Sequence, residues 1–157
     1  MSISRKVKEF LDEKKIPYSV MFHKEAFTAQ EVAATEHISG YKFAKVVILK
    51  SGKKYFMAVL PAPYYVDLKK FQKKLELKEV SLASEEELDK LFPDCDTGAE
   101  PPFGNLYGIP VYIDTSLTKN DEIVFNAGFH NETITIKTKD YLKYVKPEKF
   151  SFKKKLD

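Results

Sequence analysis

Lys45 stands at the head of an apolar run, Phe43-Ala44-Lys45-Val46-Val47-Ile48-Leu49, where a lysine must either carry its ammonium out to water or turn it into a cleft. An ammonium kept partly out of water serves as a tuned base or a sharp phosphate contact. One that reaches solvent does neither, and position alone leaves both readings open. A second group is the loop Gly98-Ala99-Glu100-Pro101-Pro102-Phe103-Gly104. Its two prolines fix φ and its glycines leave backbone groups accessible, so it could present a carbonyl or an amide to a ligand at low entropic cost. A plain connector between sheet edges is the other reading. It lacks both the glycine-rich lysine loop of triphosphate sites and the GxGxxG fingerprint, which argues against a nucleotide cradle. The third group, Asn126-Ala127-Gly128-Phe129-His130-Asn131, leaves a strand either as a hairpin turn or with Asn126 and His130 donating at the lip of a pocket. Cys95 suggests a cysteine-dependent hydrolase, but Asp94 and Asp96 beside it disfavour a thiolate. No serine occupies a GxSxG elbow, and His23, His37 and His130 share no metal-ligand spacing, so no metal or other cofactor is expected.

These groups must be positioned by a chain of 157 residues and 18.1 kDa, a length that predicts one domain over residues 1–157. Hydrophobic residues at 43% and aromatics at 13% exclude intrinsic disorder. No apolar run approaches the ~20 residues of a membrane span, and the first residues contain no apolar signal core. A cytoplasmic protein without a membrane partner is therefore expected. The single cysteine excludes an internal disulfide. Lysine and arginine total 26 against 23 acids, and Arg5 is the only arginine. A polyanion would thus be held by lysine point charges, which suit backbone contact better than base reading. A lysine-rich solvated surface is the plainer alternative.

The periodicity predicts an amphipathic helix over 2–15, stopped by Pro17, and a short strand over 18–22. Thr28-Ala-Gln-Glu31 reads as a capping box opening a helix that runs to near Ile38 and ends at Gly40. Strands over 43–50 and 55–60 flank a hairpin turn at Gly52, and Asp67 caps a helix carrying Leu68, Phe71 and Leu75. A strand over 79–82 precedes a second capping box, Ser84 to Glu87, and a helix to Phe92. Residues 93–110 contain four prolines and three glycines, and an irregular stretch of that length is more often functional than not. Strands follow over 111–114, 122–126 and 133–137, then a helix over 139–145 and a basic tail after Pro147. The expected fold class is α+β, one domain with a mixed, mostly antiparallel β-sheet flanked by helices.

Taken in order, FAKVVILK, TGAEPPFG and IVFNAGFH resemble the YbaK/prolyl-tRNA synthetase-associated domain family, and the resemblance runs from Thr28 to about Pro147. It implies a free-standing aminoacyl-tRNA deacylase that acts in trans, hydrolysing the ester between a wrongly attached small amino acid (alanine, serine, cysteine or threonine class) and the 3′-terminal adenosine of a tRNA. The family's strand lysine matches Lys45, and its GxxxP loop matches Gly98 to Pro102, with the Gly98 backbone orienting the substrate's α-amino group. Substrate contacts are implied for Phe27, Thr28, Pro102, Phe103, Asn126, Gly128 and His130. Phe129 departs from the residue relatives often carry between that glycine and histidine. The implied partners are the tRNA acceptor end and an aminoacyl-tRNA synthetase. An aminoacyl ester is already activated, so a site that positions water, with help from a vicinal ribose hydroxyl, and stabilises an oxyanion is enough. A non-catalytic module binding tRNA or a synthetase is the alternative.

Overall fold

Short polar side chains start three of the described helices. The computed structural model describes residues 4–23, 28–35 and 39–155. Ser84 accepts a hydrogen bond from the Glu87 amide at 3.2 Å while Glu87 accepts from the Ser84 amide at 2.9 Å, opening α4 (Glu85–Leu91) with a complete capping box. Asp67 caps α3 (Leu68–Lys74) through the Lys70 amide, and Thr28 caps α2 (Ala29–Thr35) through the Glu31 amide. The expected continuation of α2 to Ile38 lies outside the described residues. The first helix, α1 (Arg5–Glu13), buries Val7 and Leu11 and exposes its charged face. The last, α5 (Thr138–Val145), ends at Lys146 in the left-handed region.

Strands β2 (Ala44–Ser51) and β3 (Lys54–Pro61) form the expected hairpin, turning at Gly52 and Lys53. They sit inside a five-stranded mixed sheet whose order is β5 (Ser81–Leu82), β2, β3, β6 (Val111–Asp114), β9 (Glu148–Phe150), with the β3–β6 and β6–β9 pairs parallel. A separate antiparallel sheet orders β1 (Ser19–Phe22), β8 (Glu132–Lys137), β7 (Glu122–Asn126). A parallel bridge from Phe43 to Val124 links the two. The class is α+β, with helices against mixed and antiparallel sheets. Among the described residues the mixed, mostly antiparallel strands are divided between two sheets and a two-stranded ribbon.

The period of two in β2 explains its unbroken apolar run. Ala44, Val46 and Ile48 face a core that includes Val7, Leu11, Phe103, Phe125 and Tyr141, while Val47 and Leu49 face a second cluster built on Phe56, Leu60, Phe71 and Phe152. Lys45 shares its face with Val47 and Leu49.

The basic tail is where the structure departs from the expectation. Residues after Pro147 form β9 and then β10 (Lys153–Lys154), which pairs antiparallel with β4 (Tyr65–Val66). Asp114, 1% exposed, holds this end down by accepting from the amides of Phe152 at 2.8 Å, Lys153 at 2.9 Å and Ser116 at 3.0 Å. Burial acts to raise the Asp114 pKa, but these bonds and the Ser116 hydroxyl outweigh it and hold the carboxyl below its ordinary value. A folded pKa below the unfolded one gives stability that is full above about pH 4 and is lost as pH falls through the lowered value. Asp114→Ala is expected to lose roughly 1–3 kcal/mol at pH 7 by stranding buried donors. Urea melts at pH 7 and pH 3 check it: the gap between variant and wild type should narrow in acid.

Candidate active site

The start of β2, the turn into β4, the end of β7 and the loop after α4 converge on one cleft of about 340 Å³. Its walls carry Thr28, Lys45, Tyr65, Gly98, Glu100 and Asn126. Four of the residues singled out in the sequence, Thr28, Lys45, Gly98 and Asn126, are thereby brought together from stretches nearly 100 residues apart. Phe27 lies outside the described residues. A larger hollow of about 710 Å³, beside Lys42, Asp121, Glu122 and Lys137, holds none of the predicted site residues.

Lys45 is half-buried. Its ammonium donates to the carbonyl of Tyr64 and stands 4.8 Å from the centre of the Tyr65 ring. Burial strips water from the charged form and pulls its pKa below the usual lysine value. Lys45 thereby lines the cleft.

Gly98 has φ +90°, a region that favours glycine, and a Cβ there would stand 3.4 Å from the His130 ring. Its amide donates to Glu100 Oε2 at 2.9 Å, so the group it can offer a ligand is its carbonyl. Glu100 is 5% exposed, and burial raises its carboxyl pKa against the pull of the Gly98 amide. The carboxylate that fixes the loop was not among the residues predicted for the site. Its signal is the Gly-x-Glu spacing, which lets a side chain close a turn on the glycine two residues before it.

Asn126 ends β7 with its side-chain oxygen buried and without a hydrogen-bond partner among the described residues. In a structure where buried polar atoms are generally satisfied, such an acceptor at a cleft wall is a place for a ligand donor.

The remaining predicted residues lie behind the cleft. His130, 7% exposed, donates from Nε2 to the Thr97 carbonyl at 2.8 Å, and its own amide donates to Asp96. It therefore props the loop from beneath instead of donating at a lip. Gly128, φ +102°, exchanges backbone bonds with the same loop: its amide reaches the Ala99 carbonyl at 3.1 Å, and the Asp96 amide reaches its carbonyl at 2.7 Å. A Cβ there would come within 3.0 Å of Ser4. Pro102 is buried, its carbonyl accepting from the Tyr141 hydroxyl at 2.5 Å. Phe103 is fully buried, edge-on to Phe10, Phe125 and Tyr141. It is a core residue, because two prolines turn the chain inward just before it.

Cys95 packs behind Gly128, 3.5 Å from both Asp94 and the Tyr107 hydroxyl. Burial, helped by the Asp94 charge, pushes its thiol up to about 12. Hydrolysis in Cys95→Ser is expected to stay within about twofold of wild type, and the thiol to react with a disulfide reagent at pH 8 far more slowly than in urea. Loss of turnover in Cys95→Ser would restore the cysteine mechanism. Among the described residues no three His, Cys, Asp or Glu side chains are grouped as a metal site needs, and no helix is long and apolar enough to cross a membrane.

Residues 23–144 match the family model described as the aminoacyl-tRNA editing domain. The chain is 35% identical over 99 residues to the multifunctional Ser/Thr-tRNA deacylase ProXp-y of Escherichia coli strain K12, an alignment covering 62% of this chain and 59% of that protein. The chain thus spans about three fifths of the length of that relative. It is 27% identical over 149 residues to the prolyl-tRNA editing protein ProX of Acetoanaerobium sticklandii, covering 91% and 90% of the two. In fold it is similar, with TM-score 0.84 and 20% identity over 96% of each chain, to a crystal structure described provisionally as a trans-editing enzyme for prolyl-tRNA synthetase.

Proposed function

Because the chain belongs to the aminoacyl-tRNA editing domain family, we propose that it is a trans-editing deacylase, a single cytoplasmic domain that removes a small amino acid from a mischarged tRNA. The observation that carries the reading is one small cleft whose walls bring the half-buried Lys45 together with Gly98, whose amide is held by Glu100, and Asn126, whose side-chain oxygen has no hydrogen-bond partner among the described residues.

The chemistry follows from that arrangement. The α-ammonium of the aminoacyl group donates to Gly98 and Asn126, and the buried Glu100 lends negative potential beside it. This fixes the ester with its carbonyl toward the lysine. Water attacks the carbonyl carbon, the ester C–O bond breaks after the tetrahedral intermediate, and the ribose oxygen leaves with a proton. Positive charge from Lys45 favours the oxyanion, most effectively because the ammonium is partly out of water. A vicinal ribose hydroxyl helps to orient and activate the water, so no covalent nucleophile is needed. The rigid loop makes the cleft a size sieve, which is how a site of this kind discriminates when a methylene changes binding by only about 1–3 kcal/mol. A partner synthetase would supply the tRNA.

The test is a panel of tRNAs charged with alanine, serine, threonine, cysteine or a large amino acid, incubated with the purified protein. Turnover confined to small residues upholds the reading. Saturable tRNA binding without turnover on any of them would make the chain a binding module instead.

A further inference from the structure

Lys45 has a second cavity on its other side. A groove of about 450 Å³ runs from Lys45 and Tyr65 along Val47, Leu68 and Leu82 to Lys154 and Lys155. It shares Lys45 and Tyr65 with the catalytic cleft, so the lysine stands on the ridge between two basins. The basins differ in chemistry. The cleft is lined by a glycine, a carboxylate and an amide. The groove has an apolar floor, on which Leu82 is 61% and Tyr65 42% exposed, and a rim of lysines.

The rim is built by the strand that the sequence disguises as a tail. In the antiparallel β4–β10 ribbon Lys154 is opposite Tyr65, and directly opposed residues project to the same face. Lys153, opposite Val66, lies 4.9 Å from the centre of the Tyr64 ring. Thus Asp114, by clamping the amides of Phe152 and Lys153, sets cations beside the aromatic edge of the site.

We propose that this groove seats the 3′-terminal nucleotides of the tRNA, the terminal base on Tyr65 and Leu82 and the adjoining phosphates on Lys154 and Lys155. The inference rests on the deacylase reading of the cleft. Its own support is continuity with that cleft and charge complementarity. An exposed aromatic and aliphatic floor fits a base face, and cations along one rim fit a single-stranded phosphate backbone. The arrangement also orients the substrate: amino acid on one side of the Lys45 ridge, adenosine on the other, and the ester between them at the ammonium. Lysines without arginine forks hold phosphates without reading sequence, which suits an end that is the same on every tRNA.

The experiment compares wild type with Lys154→Glu/Lys155→Glu, with Leu82→Ala, and with Lys53→Glu/Lys54→Glu, an equal charge change at the exposed β2–β3 turn. Deacylation kinetics on a mischarged tRNA are paired with fluorescence-anisotropy binding of an uncharged acceptor-stem hairpin, with and without its terminal adenosine, across a salt series. The Lys154/Lys155 variant is expected to raise KM and the hairpin Kd at least tenfold, with kcat within about twofold. Its log Kd against log salt slope should fall by roughly 1.4, at ~0.7 per phosphate contact. In Leu82→Ala the preference for the hairpin bearing the terminal adenosine should shrink. Unchanged KM, Kd and slope in the Lys154/Lys155 variant, or an equal effect in the turn control, would overturn the proposal while leaving the deacylase reading intact. If wild type deacylates nothing, that reading fails, and the hairpin arm still decides the groove.

Discussion

Lys45→Ala is expected to lower kcat/KM on a mischarged small-amino-acid tRNA by about 10²–10³-fold, the size of effect seen when one preorganised oxyanion-stabilising group is removed. The fold should survive. The ammonium is only half-buried, it makes one hydrogen bond to the Tyr64 carbonyl, and the β2–β3 ladder does not depend on its side chain. Far-UV circular dichroism and Tm would establish that the variant is folded before rates are compared. If Lys45 acts as a cation, activity should also fall on the alkaline side at a pH below that of an ordinary lysine, because burial has lowered its pKa and the charged form is the one lost as pH rises. Subtracting spontaneous ester hydrolysis at each pH isolates that limb. A folded Lys45→Ala protein with wild-type turnover would remove the lysine from the mechanism.

Phe103→Ala tests the opposite kind of residue. It is expected to cost about 3–5 kcal/mol of stability, since the ring is fully buried among Phe10, Phe125 and Tyr141 and its removal leaves a cavity in the core that carries the site loop. Urea unfolding gives the loss directly. At low temperature, where the variant remains folded, KM should be close to wild type, because Phe103 does not line the cleft. A large rise in KM with stability preserved would return Phe103 to the substrate-contact role implied by the resemblance.

Local chemistry was the legible part of this chain. Ser84 with Glu87, Asp67 before Leu68, and Gly52 between two apolar runs each state their structure within four residues, and all three are as expected. What depended on distant partners was less legible. Lys153 and Lys154 carry no strand signature of their own. They become a strand because Asp114, some 40 residues earlier, accepts their neighbourhood's amides and β4 offers an open edge. The site shows the same division. Lys45 and Asn126 were visible because a cation or an amide at a strand end invites a question. The burial of Glu100 is invisible in sequence, and His130 reads equally as a turn residue or a donor at a lip, because an imidazole after a glycine looks the same whether it faces in or out.

The loop from Asp96 to Glu100 has no regular structure, yet its amides at Asp96, Gly98 and Ala99 are all taken, by Gly128, Glu100 and Asp96. Its ordering entropy is therefore spent during folding and not on encounter with a ligand. In amide hydrogen exchange such a segment should behave as a strand does, slow in the free protein and little changed by ligand. Capture would then involve no closing step, and association would follow diffusion and charge, faster in dilute salt and slower in concentrated salt.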